Sequence, residues 1–182
     1  VTLDTLRLRL VPCDPKQLIA LIDAPDRFQE IVGYPLAEGL HDMYTSDAVS
    51  PKWLAALRTS VGADPWRHGF FVLHRDSQHV IGSAGFKGPP DRAGTVEIAY
   101  GIAPAYQGQG YATEAATALV DYAFGSDRVR LARAHTLPEA NASTHVLTKC
   151  GFAFIGSVVD PEDGTVWRWE RGPRSTSPGL PQ

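Results

Sequence analysis

Residues 95–124 constrain this chain more than any other stretch. Thr95 to Ile102 reads as a strand, the next eight residues as a glycine-containing turn, and Tyr111 to Phe124 as a helix. In that helix Ala112, Ala115, Ala116, Leu119 and Ala123 fall on one stripe, with Thr113, Glu114, Thr117 and Asp121 elsewhere, so one face is built for a core. Gly108, Gly110 and the small Ala112 let the main chain come close to a bulky anion. The unpaired amides of the first helical turn point at whatever sits there. A pyrophosphate fits that description.

The flanking sequence supplies a sheet for this strand. Leu3 to Val11 alternates Leu with Thr or Arg, the period of a strand with one buried face. Phe70–His74 and His79–Phe86 flank the polar Arg75–Gln78 as a hairpin, so three antiparallel strands in succession are expected through Ile102. Val129–Thr136, Phe152–Val159 and Thr165–Arg171 read as later strands, and Ser143–Cys150 as a short helix closed by Gly151. Lys16–Ile31, interrupted by Pro25, and Pro51–Thr59 have helical spacing, whereas Gly33–Ser46 reads as an irregular loop. No repeat or second domain is visible. Residues 1–171 are expected to form one domain, and the Pro-, Ser- and Gly-rich residues 172–182 a disordered tail.

Composition removes several classes of function. With 182 residues and 43% hydrophobic content, one core needs no disulfide or metal. A net charge of -3 leaves no basic stripe for a nucleic-acid backbone. Cys13 and Cys150 are far apart among apolar neighbours, which favours a reducing, cytoplasmic setting. No apolar run is long enough to span a membrane, and the sequence begins with neither a basic leader nor an apolar signal core, so neither membrane insertion nor secretion is expected. The six histidines show no ligand spacing, and no metal site is expected.

Gln107, Gly110 and Ala112 fit the pattern Gln/Arg-x-x-Gly-x-Gly/Ala, and the chain here resembles the GNAT superfamily of N-acetyltransferases. The resemblance runs from Leu6-Arg7-Leu8-Arg9 through the hairpins to Pro138-Glu139-Ala140-Asn141-Ala142-Ser143 and Lys149-Cys150-Gly151-Phe152. It is strongest to the branch that acetylates ribosomal-protein N-termini, the RimJ/RimL-like enzymes. It implies an α/β (α+β) fold: a mixed, mostly antiparallel sheet of about seven strands, splayed where the cofactor enters, with helices on both faces. It also implies acetyl-coenzyme A as the acyl donor and direct attack by an amine, with no covalent enzyme intermediate. The amine belongs to a protein N-terminus or a small molecule, and the protein is expected to be a monomer or homodimer.

Site roles follow from the same resemblance. Gln107, Gly108, Gln109, Gly110, Tyr111, Ala112 and Thr113 are expected to hold the pyrophosphate, and the main chain of Ile102, at a bulge, the thioester carbonyl. Glu97, inside an otherwise apolar strand, corresponds to the superfamily's glutamate base; the other reading is an outward-facing strand carboxylate. Leu147 stands where many members have an acid tyrosine, and Ser143 occupies the serine position of the ribosomal branch, on the thiol side. The asparagine position is taken by Ala140, so Asn141, one residue on, is the displaced candidate cofactor contact. Helix capping accounts equally for Asn141 and Ser143. His135, near the end of a strand, is either a structural histidine or a site residue. The acceptor pocket is expected among Phe28, Tyr34, His41, Asp42, Tyr44, Trp66 and Trp167, while Trp167 and Trp169 also suit a core or a dimer contact.

Two rivals remain open on sequence alone. Leu147 and the displaced Asn141 would suit an acyl-CoA-binding module without catalysis. A dinucleotide-binding oxidoreductase would use the same glycines, but Gly108-x-Gly110-x-x-Thr113 lacks the third glycine.

Overall fold

In the computed structural model, which describes residues 1–47 and 49–174, eight strands form a single open sheet in the order β1-β2-β3-β4-β5-β6-β8-β7. These are β1 (Leu3–Asp4), β2 (Leu8–Pro12), β3 (Phe70–His74), β4 (Val80–Phe86), β5 (Thr95–Ile102), β6 (Leu131–Thr136), β7 (Ala153–Asp160) and β8 (Gly164–Arg171). All neighbours are antiparallel except β5 and β6. The parallel pair is joined by α6 (Tyr111–Phe124), the crossover that such a pair requires.

The eighth strand arises because residues 3–11 do not form one strand. Leu3 folds back to pair with Leu10. The turn between them is held by Thr5, whose N–H donates to the Leu8 carbonyl at 2.9 Å and whose hydroxyl oxygen accepts from the Leu8 N–H at 3.0 Å. Leu6, which would belong to the buried face of a continuous strand, is 87% exposed in this turn.

The N-terminal helical region is broken as Pro25 suggests, into α1 (Pro15–Asp23), a 3-10 turn at Pro25–Arg27 and α2 (Phe28–Val32). The stretch 33–46 is not wholly irregular: it contains α3 (Leu40–Thr45). Next come α4 (Pro51–Thr59) and a short α5 (Pro65–His68), both opened by Pro after a Ser or Asp cap. The last helix, α7 (Ala142–Lys149), ends just before Gly151, whose φ of +82° suits the left-handed residue after a helix.

One apolar cluster runs from Leu8 to Trp169 through the inward faces of the sheet and the stripe of α6. Ala115, Ala116, Leu119 and Ala123 are fully buried, as is Val120 beside them. The small alanines bring the helix close to β5. Among the described residues no helix is long and apolar enough to cross a membrane. The expected disordered tail lies mostly outside the described residues, of which Gly172–Arg174 has no regular structure.

Candidate active site

The parallel ladder between β5 and β6 stops early. It joins Thr95, Val96 and Glu97 to Leu131, Ala132 and Arg133, while both strands continue beyond it. The other edge of β5 stays paired with β4 from Ile98 to Ile102 without a register shift. The bulge expected near Ile102 is therefore absent; the sheet opens because β6 leaves β5.

That opening exposes main-chain groups. Lys87 N–H donates to the Glu97 carbonyl at 2.9 Å and Ala103 N–H to the Ile81 carbonyl at 2.7 Å, so odd residues of β5 turn their groups to β4. Alternation sends those of Tyr100 and Ile102 into the gap. The Ile102 carbonyl is taken by the Gln107 side chain at 2.9 Å, which leaves its N–H directed at the opening.

The glycine turn lies at the mouth of this gap. Gly108 and Gly110 have φ of +74° and +85°, values that L side chains rarely adopt. A Cβ on Gly108 would meet nothing within 4 Å, so the turn faces open space. Gly110 is the N-cap of α6 and offers no side-chain cap to the first-turn amides. Those amides suit a bulky anion. The Tyr111 side chain is not free to join them, because it is buried and its hydroxyl meets His74 Nε2 at 3.0 Å. Ala112 and Thr113 are half-buried in the same first turn.

Arg7, which motif reasoning did not single out, ties the turn to the β1–β2 reversal. Its Nη1 donates to the Gln109 carbonyl at 2.9 Å, its Nε to Glu114 Oε2 at 2.8 Å and its N–H to Glu114 Oε1 at 2.7 Å. The guanidinium lies 4.3 Å above the Tyr111 ring. Burial alone would raise the Glu114 carboxyl, but hydrogen bonds from Thr5 and Arg7 and the Arg7 charge outweigh it and hold it below its ordinary value.

Glu97, the last residue of β5 paired with β6 before the gap, stands on the face away from α6. Its Oε1 accepts from Lys87 Nζ and from His135 Nδ1, each at 2.8 Å. His135 in turn accepts from Arg168 Nε at 3.1 Å. Burial would lower the Lys87 ammonium, yet its bond and charge pairing with Glu97, helped by Asp163 and Asp160, leave it raised. The apolar surroundings suggested by the strand sequence are thus replaced by a polar layer, which Arg133 and Glu170 extend with a 2.7 Å ion pair. Which strands would be neighbours was not legible in the sequence.

A cavity of about 600 Å³ opens on this face, lined by Trp53, Leu57, Arg67, Lys87, Ala99 and Glu162 among others. A second of about 450 Å³ continues from it past Tyr44, Ser83, Gly85 and Gly101. Of the residues expected at the acceptor, Tyr44 is here, its phenol pushed up by burial. Phe28 is instead fully buried, edge-on to Phe71. His41 turns to the Ile22 carbonyl, Tyr34 packs beside the core and Asp42 points outward. Trp66 packs at tilted angles against Phe86 and Tyr122, which also touch each other. Trp167 packs on Phe154, and Trp169 is buried with its Nε1–H on Thr136 Oγ1 at 3.1 Å. Large aromatics went to the core because burial of their area outweighs what a wet cleft offers.

Across the gap, α7 begins with Asn141 as its N-cap. The Asn141 side chain accepts from Thr144 N–H and its own N–H donates to Thr144 Oγ1, both at 3.0 Å. Ser143, in the first turn, is half-buried, and its carbonyl accepts from the Tyr100 hydroxyl at 3.5 Å. Tyr100 thus spans from the open part of β5 to the start of α7, on the side opposite Glu97. Leu147 is buried beneath them.

A family model for an acetyltransferase (GNAT) domain matches residues 6–153. The uncharacterized N-acetyltransferase YjdG of Bacillus subtilis (strain 168) is 28% identical over 158 residues, 84% of this chain and 89% of that protein. Among solved structures, RimJ of Mycobacterium smegmatis in complex with CoA-disulfide superposes with a TM-score of 0.64 at 20% identity, covering 94% of this chain and 87% of that one. RimL, a ribosomal L7/L12 alpha-N-protein acetyltransferase in complex with coenzyme A, gives 0.63 at 16% identity, covering 94% and 98%.

Proposed function

The chain belongs to the GNAT acetyltransferase family and is an acetyl-CoA-dependent acyltransferase, and from that premise we propose that it acetylates a primary amine, with Glu97 as base and Ser143 on the thiol side. The observation that carries this reading is the gap where β6 leaves β5, with the open glycine turn at its mouth. Glu97 and Ser143 stand on opposite sides of that gap. The named structural relative RimL acts on a protein N-terminus, which supports an N-terminal amine among the acceptors, alongside small-molecule amines.

The chemistry asks for little more than the chain offers. Acetyl-CoA supplies an activated acyl thioester and a thiol able to leave. The amides at Gly108–Thr113 bind its diphosphate, with Gln107 bracing the turn through the Ile102 carbonyl. The Ile102 N–H donates to the acyl carbonyl, a stabilisation worth about 3 kcal/mol where it is well placed. Glu97 accepts the proton of an amine entering from the cavity, directly or through water. An α-amine near pKa 7.8 needs about 1 kcal/mol to become neutral at pH 7, against about 4.6 for a lysine amine. Ser143 faces the departing sulfur, where a thiol of pKa about 8.5 needs only modest assistance. Asn141 enters as the cap that orients Ser143.

The test is thiol release from acetyl-CoA with a panel of peptides bearing N-terminal Ser or Ala, spermidine and small aliphatic amines. At least one amine is expected to turn over, and Glu97→Gln to lower kcat by about 100-fold with KM for acetyl-CoA unchanged. A Glu97→Gln enzyme as fast as wild type would remove Glu97 as the base.

A further inference from the structure

The two oxygens of Glu97 are not equivalent. Oε1 receives both Lys87 Nζ and His135 Nδ1 at 2.8 Å, whereas among the described residues no hydrogen bond reaches Oε2. A carboxylate oxygen holding two donors is satisfied, so the second oxygen keeps its lone pairs for another proton.

The hydrogen on His135 can be placed by elimination. Arg168 Nε always carries a hydrogen, and it lies 3.1 Å from His135 Nε2. That nitrogen must therefore accept, so in the neutral ring the hydrogen sits on Nδ1 and points at Glu97. The sheet itself sets this chain. His135 and Arg168 are cross-strand partners in β6 and β8, and Arg133, two residues before His135 on the same face, is the partner of Glu97. The His135 side chain is 9% exposed, so water does not compete freely for either nitrogen.

Resting on the reading of Glu97 as base, we propose that His135 is a positioning residue: Arg168 fixes its tautomer, its Nδ1–H pins Glu97 Oε1, and Oε2 is thereby presented to the acceptor amine. Lys87, which lines the larger cavity, pins the same oxygen from the acceptor side. Positioning of this kind acts on the rate constant rather than on cofactor binding, because the diphosphate turn and His135 lie on different elements.

Substitutions at residue 135 separate positioning from packing. The amide nitrogen of Asn occupies the place of imidazole Nδ1, and that of Gln the place of Nε2. His135→Asn should keep kcat within about threefold of wild type, while His135→Gln and His135→Leu should lower it about tenfold or more, with KM for acetyl-CoA unchanged. Activity is read on the panel amines, with circular dichroism and thermal melting confirming that each variant folds; the two polar variants stand whether or not His135→Leu does. In the Glu97→Gln background, His135→Gln should cause no further loss, since it acts only through the carboxylate.

Equal kcat for His135→Gln and His135→Asn would overturn the proposal, as would a loss confined to KM or a full additional loss in the Glu97→Gln background. If Glu97→Gln is slow and His135→Gln is as fast as wild type, the base stands and the positioning role fails. If Glu97→Gln is as fast as wild type, or no panel amine turns over, the base reading fails and takes this inference with it.

Discussion

Arg7 and Glu114 are 107 residues apart in the chain, yet three hydrogen bonds of 2.7–2.9 Å join Arg7 to Glu114 and to the Gln109 carbonyl. The Glu114 side chain is only 15% exposed, so solvent weakens these bonds less than it would a surface pair. Glu114→Gln is expected to destabilise the fold by about 1.5–3 kcal/mol at pH 7. The pH dependence has a definite sign. The folded-state carboxyl is depressed, so its contribution is complete above the unfolded-state value and is lost as pH falls through the folded one. Urea titrations of both proteins should therefore show a gap at neutral pH that narrows in acid; a gap independent of pH would contradict the assignment. None of this was legible beforehand. Glu114 reads as an ordinary polar residue on a helix, and only the fold brings it to the N-terminal strands. Glu97 was singled out, but its partner Lys87 follows the end of β4, and Arg168, which reaches it only through His135, lies on β8; neither carries a local mark.

At the scale of the element, legibility follows how far a segment's structure depends on its own residues. Helix α6 has the bounds its apolar stripe predicts, and β5 has those of its run. Truncation of the stripe at Leu119, fully buried, should cost about 2–5 kcal/mol. Loss of the Asn141 side chain, a cap on an eight-residue helix, should cost about 1 kcal/mol. Denaturation of Leu119→Ala and Asn141→Ala checks the ranking, and the reverse order would mean that α7 rather than α6 carries the core. Where a long-range contact decides, the local reading failed. The alternation of residues 3–11 continues through Leu6, yet the chain reverses there because Thr5 and Arg7 bind Glu114. Helix α3 was missed because only six residues form it, too few for a periodic signal.

For the whole molecule, the class of sheet could be anticipated from hairpins followed by strand–helix–strand, but the order β5-β6-β8-β7 could not. That order matters most for function. It sets the parallel pair side by side, lets it part after three residues of pairing, and assembles Glu97, His135 and Arg168 on one face. The glycine turn was legible because its chemistry is local, while the cavity proposed for the acceptor was legible only at Tyr44, since its lining comes from α3, α4 and α5, from β4 and β5 and from separate loops.

In the proposed mechanism the turn at 107–113 and the gap beside β5 together hold the acyl donor with its sulfur between Glu97 and Ser143. A crystal structure with bound coenzyme A should then show diphosphate oxygens about 3 Å from the amides of Gly108–Thr113 and the pantetheine arm between β5 and β6, with its thiol in the gap. Coenzyme A bound elsewhere, with those amides engaged inside the protein and the gap closed by side chains, would contradict it.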